Sequence, residues 1–235
     1  MTMSSDKDYK ETKLIKQGKQ KIEPDFVGLA DWINNTYKVI VINIFYDTIQ
    51  GIKNRPRLSI IFEYHQDELK FRDGGVGNFD AGKQKIIARK FRVLVNGENN
   101  RTSFFQKLFR KATNLKYDID NLLVVFTSFE PMAKEEANSS IPESEVEILR
   151  NEIGLKNLWV IYRHYSFATF FFHTDKQVDE YSKNGIIESL AKKYFSLLKK
   201  YDEFGYFKED TYSIMLDSKE NFDEKFKSNW FYYSR

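Results

Sequence analysis

Apolar residues in this chain fall into two kinds of run, and the two alternate along its length. Short runs rich in β-branched and aromatic side chains, bounded by polar residues, read as buried strands. Seven are marked: 39–46, 58–64, 69–71, 122–126, 158–162, 167–173 and 212–216. Longer stretches place apolar residues at helical spacing. One opens at Pro24, a favoured first-turn residue, with Phe26, Leu29, Ala30 and Ile33 on one face. A second follows Asp80, a good helix cap, and turns Ile86, Ile87, Phe91 and Leu94 inward. A third, after Asn96-Gly97, shows Phe104, Phe105, Leu108 and Phe109 on one side, and a fourth runs from Glu143 to the stop at Gly154.

The densest part of the pattern lies between Leu158 and Tyr201. Two apolar strands lead into Thr174-Asp175-Lys176-Gln177, the spacing of a capping box. Past Gly185 the residues Ile186, Ile187, Leu190, Ala191, Tyr194, Phe195, Leu197 and Leu198 form an apolar stripe. Strand, strand and amphipathic helix in this order predict the centre of a mixed sheet. The chain as a whole reads as α+β or α/β, one mixed sheet of about seven strands with helices packed on it. Helix, strand, strand and helix recur in 24–94 and in 143–201, which suggests a tandem pseudo-repeat.

Residues 1–22 hold six lysines, three acids and few apolar side chains, so they read as a disordered basic arm, or a tail that orders on docking. The remainder, 23–235, reads as a single globular domain. With 21 Phe and 14 Tyr it has ample large apolar surface for a core. The arm accounts for the net charge of +3, because the body carries 31 basic residues against 31 acidic ones. A neutral body lacks the basic footprint of a nucleic-acid-binding domain. The absence of cysteine excludes disulfides and thiolate chemistry and suits a reducing, cytoplasmic setting. No apolar run approaches the roughly 20 residues of a membrane helix, so no membrane partner is expected.

Candidate chemistry is sparse. Gly77-Asn78-Phe79-Asp80-Ala81-Gly82-Lys83-Gln84 approaches a phosphate-binding loop, but Gln84 stands where a magnesium-binding hydroxyl belongs. It reads instead as a turn capped by Asp80. Asp47 with Glu68-Leu69-Lys70 resembles in spacing the acids and lysine of a metal-dependent nuclease, two carboxylates for the metal and a lysine near the attacking water. The tripeptide recurs too often in so charged a chain to carry weight. His164 and His173 flank the central strand pair and could approach each other at its open end, but strand-end histidines in an aromatic sheet read first as hydrogen-bonded fillers. The basic stretch from Lys83 to Lys111, interleaved with Phe104, Phe105 and Phe109, reads as the wet face of helices whose rings are buried; phosphate tracking with base stacking is the competing reading.

Residues 201–224 hold eight acids against two lysines, with aromatic residues among them. Acids that steer and rings that anchor suit a basic protein surface. The expectation is therefore a non-catalytic, cytoplasmic protein-binding module without metal or cofactor, in one form an immunity-type inhibitor of a basic partner. Its partner-binding residues are expected to be Asp202, Glu203, Phe204, Tyr206, Glu209 and Asp210. The alternative is a metal-dependent nuclease, or another protein acting on nucleic acid, built on Asp47, Glu68 and Lys70.

Overall fold

The structure, a computed structural model, describes residues 7–49, 54–74, 77–99 and 116–234. The expected helix over 104–112 and the basic residues Arg101, Lys107, Arg110 and Lys111 lie outside these. The chain divides into two compact units, 1–130 and 131–235. Six strands occur among the described residues, in two separate three-stranded sheets, so the fold is mixed α+β without the continuous sheet of about seven strands.

In the first unit, helix α1 (Lys7–Lys16) precedes helix α2 (Pro24–Tyr37) and the hairpin of β1 (Val41–Ile49) with β2 (Arg55–Phe62). Short helix α3 (His65–Leu69) and long helix α4 (Ala81–Asn99) then lead to β3 (Leu123–Ser128), which runs parallel to β2. β2 is central and buried on both faces, as a near-continuous apolar strand should be. Leu58, Ile60 and Phe62 join one core with Phe26, Leu29 and Ile33 of α2 and Ile87 and Phe91 of α4. The apolar run at 39–46 had suggested a central strand, but β1 lies at the edge.

Part of the expected arm is therefore helix. Tyr9 is buried and stacks on Phe129 with ring centroids 5.1 Å apart. Thr12, fully buried, accepts a hydrogen bond from the Asn43 amide at 3.3 Å. These two buried contacts, one turn apart, hold α1 against Phe129 and against Asn43 of β1, and composition alone did not weigh them. The expected strand at 69–71 is also absent. The amides of Lys70, Phe71 and Arg72 bond to the carbonyls of Asp67, Glu68 and Leu69, closing turns where a strand was read.

The second unit begins within helix α5 (Glu130–Ser139) and continues through α6 (Glu143–Ile153) to the hairpin of β4 (Leu158–His164) with β5 (Phe167–Phe172). Helices α7 (Asp175–Lys183) and α8 (Ile186–Leu198) follow, and β6 (Met215–Ser218) returns parallel to β5. Thr174 and Gln177 complete the capping box of α7, and Gly185, with φ of 76°, separates α7 from α8. One face of the sheet packs Ala168, Phe170 and Phe172 against α6 and α8. The other packs Trp159, Tyr162 and Phe171 against α9 (Lys219–Phe226) and α10 (Trp230–Tyr233). Trp230 lies between Tyr162 and Phe222, each ring 4.1 Å away, so the aromatic terminus is docked.

Among the described residues both units thus share one path: helix, hairpin, two helices, a parallel third strand, helix. Details recur with it. Each hairpin shifts register near the start of its first strand, Val41/Asn43 and Leu158/Val160. Phe62 pairs with Ser128, and Phe172 with Ser218. Two residues beyond each serine, a glutamate accepts from the first amide of the helix after the hairpin: Glu130 from His65 at 3.1 Å, Glu220 from Asp175 at 3.0 Å. A Ser-x-Glu signature therefore closes the third strand of each repeat.

Asn138 is a buried side chain of the second unit with three hydrogen bonds. Its amide donates to the carbonyls of Tyr165 and Phe167, both at 2.9 Å, and accepts from the buried Tyr194 hydroxyl at 2.6 Å. It thereby holds the β4–β5 turn, where Tyr165 carries a left-handed φ of 48° that costs about 1 kcal/mol outside glycine. Asn138→Ala strands a buried hydroxyl and two carbonyls, and should lower stability by about 2–4 kcal/mol in urea unfolding.

Burial pushes the Tyr117 phenol up to about 12 from an ordinary 10.0, and raises Tyr194, Tyr212 and Tyr233 further. Because the folded values exceed the unfolded one, the stabilisation is fully present below pH 10 and is lost as pH rises through about 12. Absorbance titration at a phenolate wavelength should show these rings ionising late, together with loss of the circular dichroism of the fold. Complete ionisation near pH 10 with the fold intact would contradict this.

Candidate functional site

The second unit carries a groove of about 730 Å³ between α8 and the segment leading into β6. Helix α8 arrives there because Leu190, Tyr194, Leu197 and Leu198 bury one side of it in the core. Ile187, Ala191 and Phe195, spaced one turn apart, flank that side and form the apolar floor. An apolar stripe this broad exceeds what the sheet covers, and the groove is lined by its uncovered margin. Tyr212 forms the facing wall, parallel to Tyr194 at 6.2 Å and edge-on to Phe207 at 5.7 Å.

The rim is acidic. Glu188, Glu209 and Asp210 line it, with Lys192 as the one cation among the lining residues. Lys192 bonds to Glu188 at 2.8 Å, which holds that carboxyl below its usual range. Glu209 and Asp210 are exposed and have no ion-pair partner among the described residues. A smaller recess of about 380 Å³ between α6 and α8 sets Glu145 and Glu152 against Lys193 and Lys200 and has no such bias.

The six partner-binding residues read from the sequence separate into two groups. Glu209 and Asp210 stand on the groove. Asp202 is buried and accepts from the amides of Tyr206 and Phe207, both at 3.0 Å, and from Lys199 at 3.3 Å. Its carboxylate shapes the loop that carries the groove wall, helped by Gly205 at φ 68°. Tyr206 is buried, Phe204 is half-buried against it at 5.9 Å, and Glu203 is exposed. Sequence reading missed Glu188, Ile187, Phe195 and Tyr212, although the 187, 191, 195 spacing beside the core positions was visible.

The nuclease-like residues are not gathered into one site. Asp47 pairs with Arg57 across the hairpin, its Oδ1 2.8 Å from Nε. Glu68 is buried, paired with Arg72 and accepting from Ser128 Oγ at 2.6 Å. Arg57 and Ser128 belong to opposite ends of the β2–β3 register, about 16 Å apart at the rise of a strand. Lys70 bonds to Asp67 at 2.8 Å and to the Lys38 carbonyl at 2.9 Å. Among the described residues no group of three His, Asp or Glu side chains is placed to hold a metal ion. In the glycine loop, Asp80 caps α4 through the Lys83 amide at 3.0 Å and pairs with the Lys83 ammonium at 2.8 Å. His164 pairs with Phe167 beside the hairpin turn, whereas His173 follows the far end of β5, so the two stand at opposite ends of the strand pair.

The groove therefore offers apolar contact and negative charge. Comparison with family models, curated proteins and solved structures finds no match. Asp202→Ala should cost about 2 kcal/mol of stability by removing two buried amide partners, whereas Glu209→Lys and Asp210→Lys should change it by less than about 0.5 kcal/mol. Urea midpoints of the three variants distinguish a loop-shaping carboxylate from surface ones.

Proposed function

We propose that the chain is a protein-binding module whose second unit receives a basic, partly apolar segment of its partner. The observation that carries this reading is the groove: an apolar floor of Ile187, Ala191 and Phe195 beneath Glu188, Glu209 and Asp210, with Lys192 already neutralised by Glu188. An apolar side chain buried on the floor contributes about 1.5–3 kcal/mol. Each exposed ion pair at the rim adds only about 0.2–1 kcal/mol. The acids therefore act mainly on selection and on the rate of encounter, and salt weakens that action. Inhibition of a basic partner, as immunity-type proteins do, is one use of such a surface, and the cysteine-free composition fits a cytoplasmic setting.

A synthetic amphipathic helical peptide bearing lysines and isoleucines serves as a probe. At low salt it should bind the full chain, and Glu209→Lys with Asp210→Lys should weaken binding at least about tenfold. Glu180→Lys, on α7 away from the lining residues, should leave it unchanged. Equal losses in all variants, or affinity indifferent to salt, would refute the assignment.

A further inference from the structure

The first unit presents a surface that matches this groove. On the outer side of α4, Lys85, Ile86, Arg89 and Val93 form one exposed stripe, with Ile86 48% and Val93 65% exposed. Other cations of that helix are engaged. Lys83 pairs with Asp80, Lys90 lies 5.6 Å over the Trp32 ring, and Arg92 reaches the Ile119 carbonyl at 3.2 Å. Lys85 and Arg89 have no ion-pair partner among the described residues. A stripe of two cations and two aliphatic side chains is the chemistry the groove selects.

Ile87 and Phe91 of α4 are buried four residues apart, as Leu190 and Tyr194 of α8 are, so each crossover helix keeps one face inward and turns another to solvent.

We infer that the occupant of the groove is helix α4 of a second copy of this chain. This rests on the reading of the groove as a protein-binding surface. Ile86 and Val93, two turns apart on α4, descend onto Ile187, Ala191 and Phe195, as anchors of a helix laid in a groove do. Lys85 and Arg89 meet Glu209 and Asp210. Because the two patches differ, the contact is heterologous, and each copy can offer α4 while its own groove receives another. One helix stripe on one groove buries less than about 1,200 Å², the size class of weak and transient contacts. Self-association is therefore expected to be reversible, concentration-dependent and weakened by salt.

Sedimentation velocity on the full chain tests this with two charge-reversed variants. The wild type should gain mass as concentration rises to about 0.5 mM, within reach of a weak interface, and lose it in high salt. Lys85→Glu/Arg89→Glu lacks the donor face, and Glu209→Lys/Asp210→Lys lacks the receiving one. Each should stay monomeric with an unchanged far-ultraviolet spectrum. Mixed in equal amounts, they should associate again, because each retains the face the other lost and the two reversed faces complement each other in charge. A wild type that stays monomeric, a variant that associates as the wild type does, or a mixture that stays monomeric would each overturn the inference. A monomeric wild type that still binds the synthetic peptide would leave the binding groove standing and remove only the second copy as its occupant.

Discussion

Each unit depends on a parallel pairing between a hairpin strand and a strand that arrives much later in the chain. β3 lies against β2, and β6 against β5, and in both cases helices intervene, two of them among the described residues. Parallel neighbours require such a crossover, because the chain must return to the starting end of the sheet before it can run alongside. The crossover helices are therefore obliged to lie on a face of the sheet, and that obligation places α4 and α8. What those helices show to solvent on their far sides becomes the surface of each unit. The groove exists because α8 is held down by Leu190, Tyr194 and Leu198 while its flank extends beyond the sheet.

Late-arriving strands need a local lock, and both units use the same one. Ser128 and Ser218 end the third strands, each with its hydroxyl on a carboxylate, Glu68 and Asp175 respectively. The next amides turn back to the hairpin: Glu130 to the Glu63 carbonyl at 3.0 Å, Glu220 to the His173 carbonyl at 3.3 Å. Their side chains then satisfy an amide at the start of the following helix. Free helix-start amides and strand-end carbonyls are costly when buried, and one tripeptide answers both. This lock, the register shift and the order of elements recur in both units among the described residues.

Much of this was legible in the chain. Long apolar runs with β-branched and ring residues located five of the six strands closely, and Thr174 with Gln177 announced the start of α7. β6 was displaced toward its C-terminal end because its exposed Met215 and half-buried Asp217 blur the apolar signal. Pairing was not legible, since a strand's neighbour is set by packing at a distance, so two sheets were read as one. The run Leu69–Phe71 was too short to outweigh the turns that the amides of Lys70, Phe71 and Arg72 close. For the groove, acids near 209 were visible as composition, but composition could not separate Asp202, consumed by backbone amides, from Glu209 and Asp210, which face outward. That distinction belongs to the loop's hydrogen bonding.

Asn138 sits in an Asn-Ser-Ser triplet, and Asn34 in Asn-Asn-Thr, both of the kind that accept sugar chains on secreted proteins. The Asn138 nitrogen, the atom a glycan would attach to, is already committed to two carbonyls at the tip of a hairpin. Asn34 lends its oxygen to the Val41 amide at the start of β1. An oligosaccharide joined to Asn138 before folding would occupy the space where Tyr194 and the hairpin tip meet. The second unit and a sugar at that position are therefore mutually exclusive, whatever route the polypeptide takes through a cell.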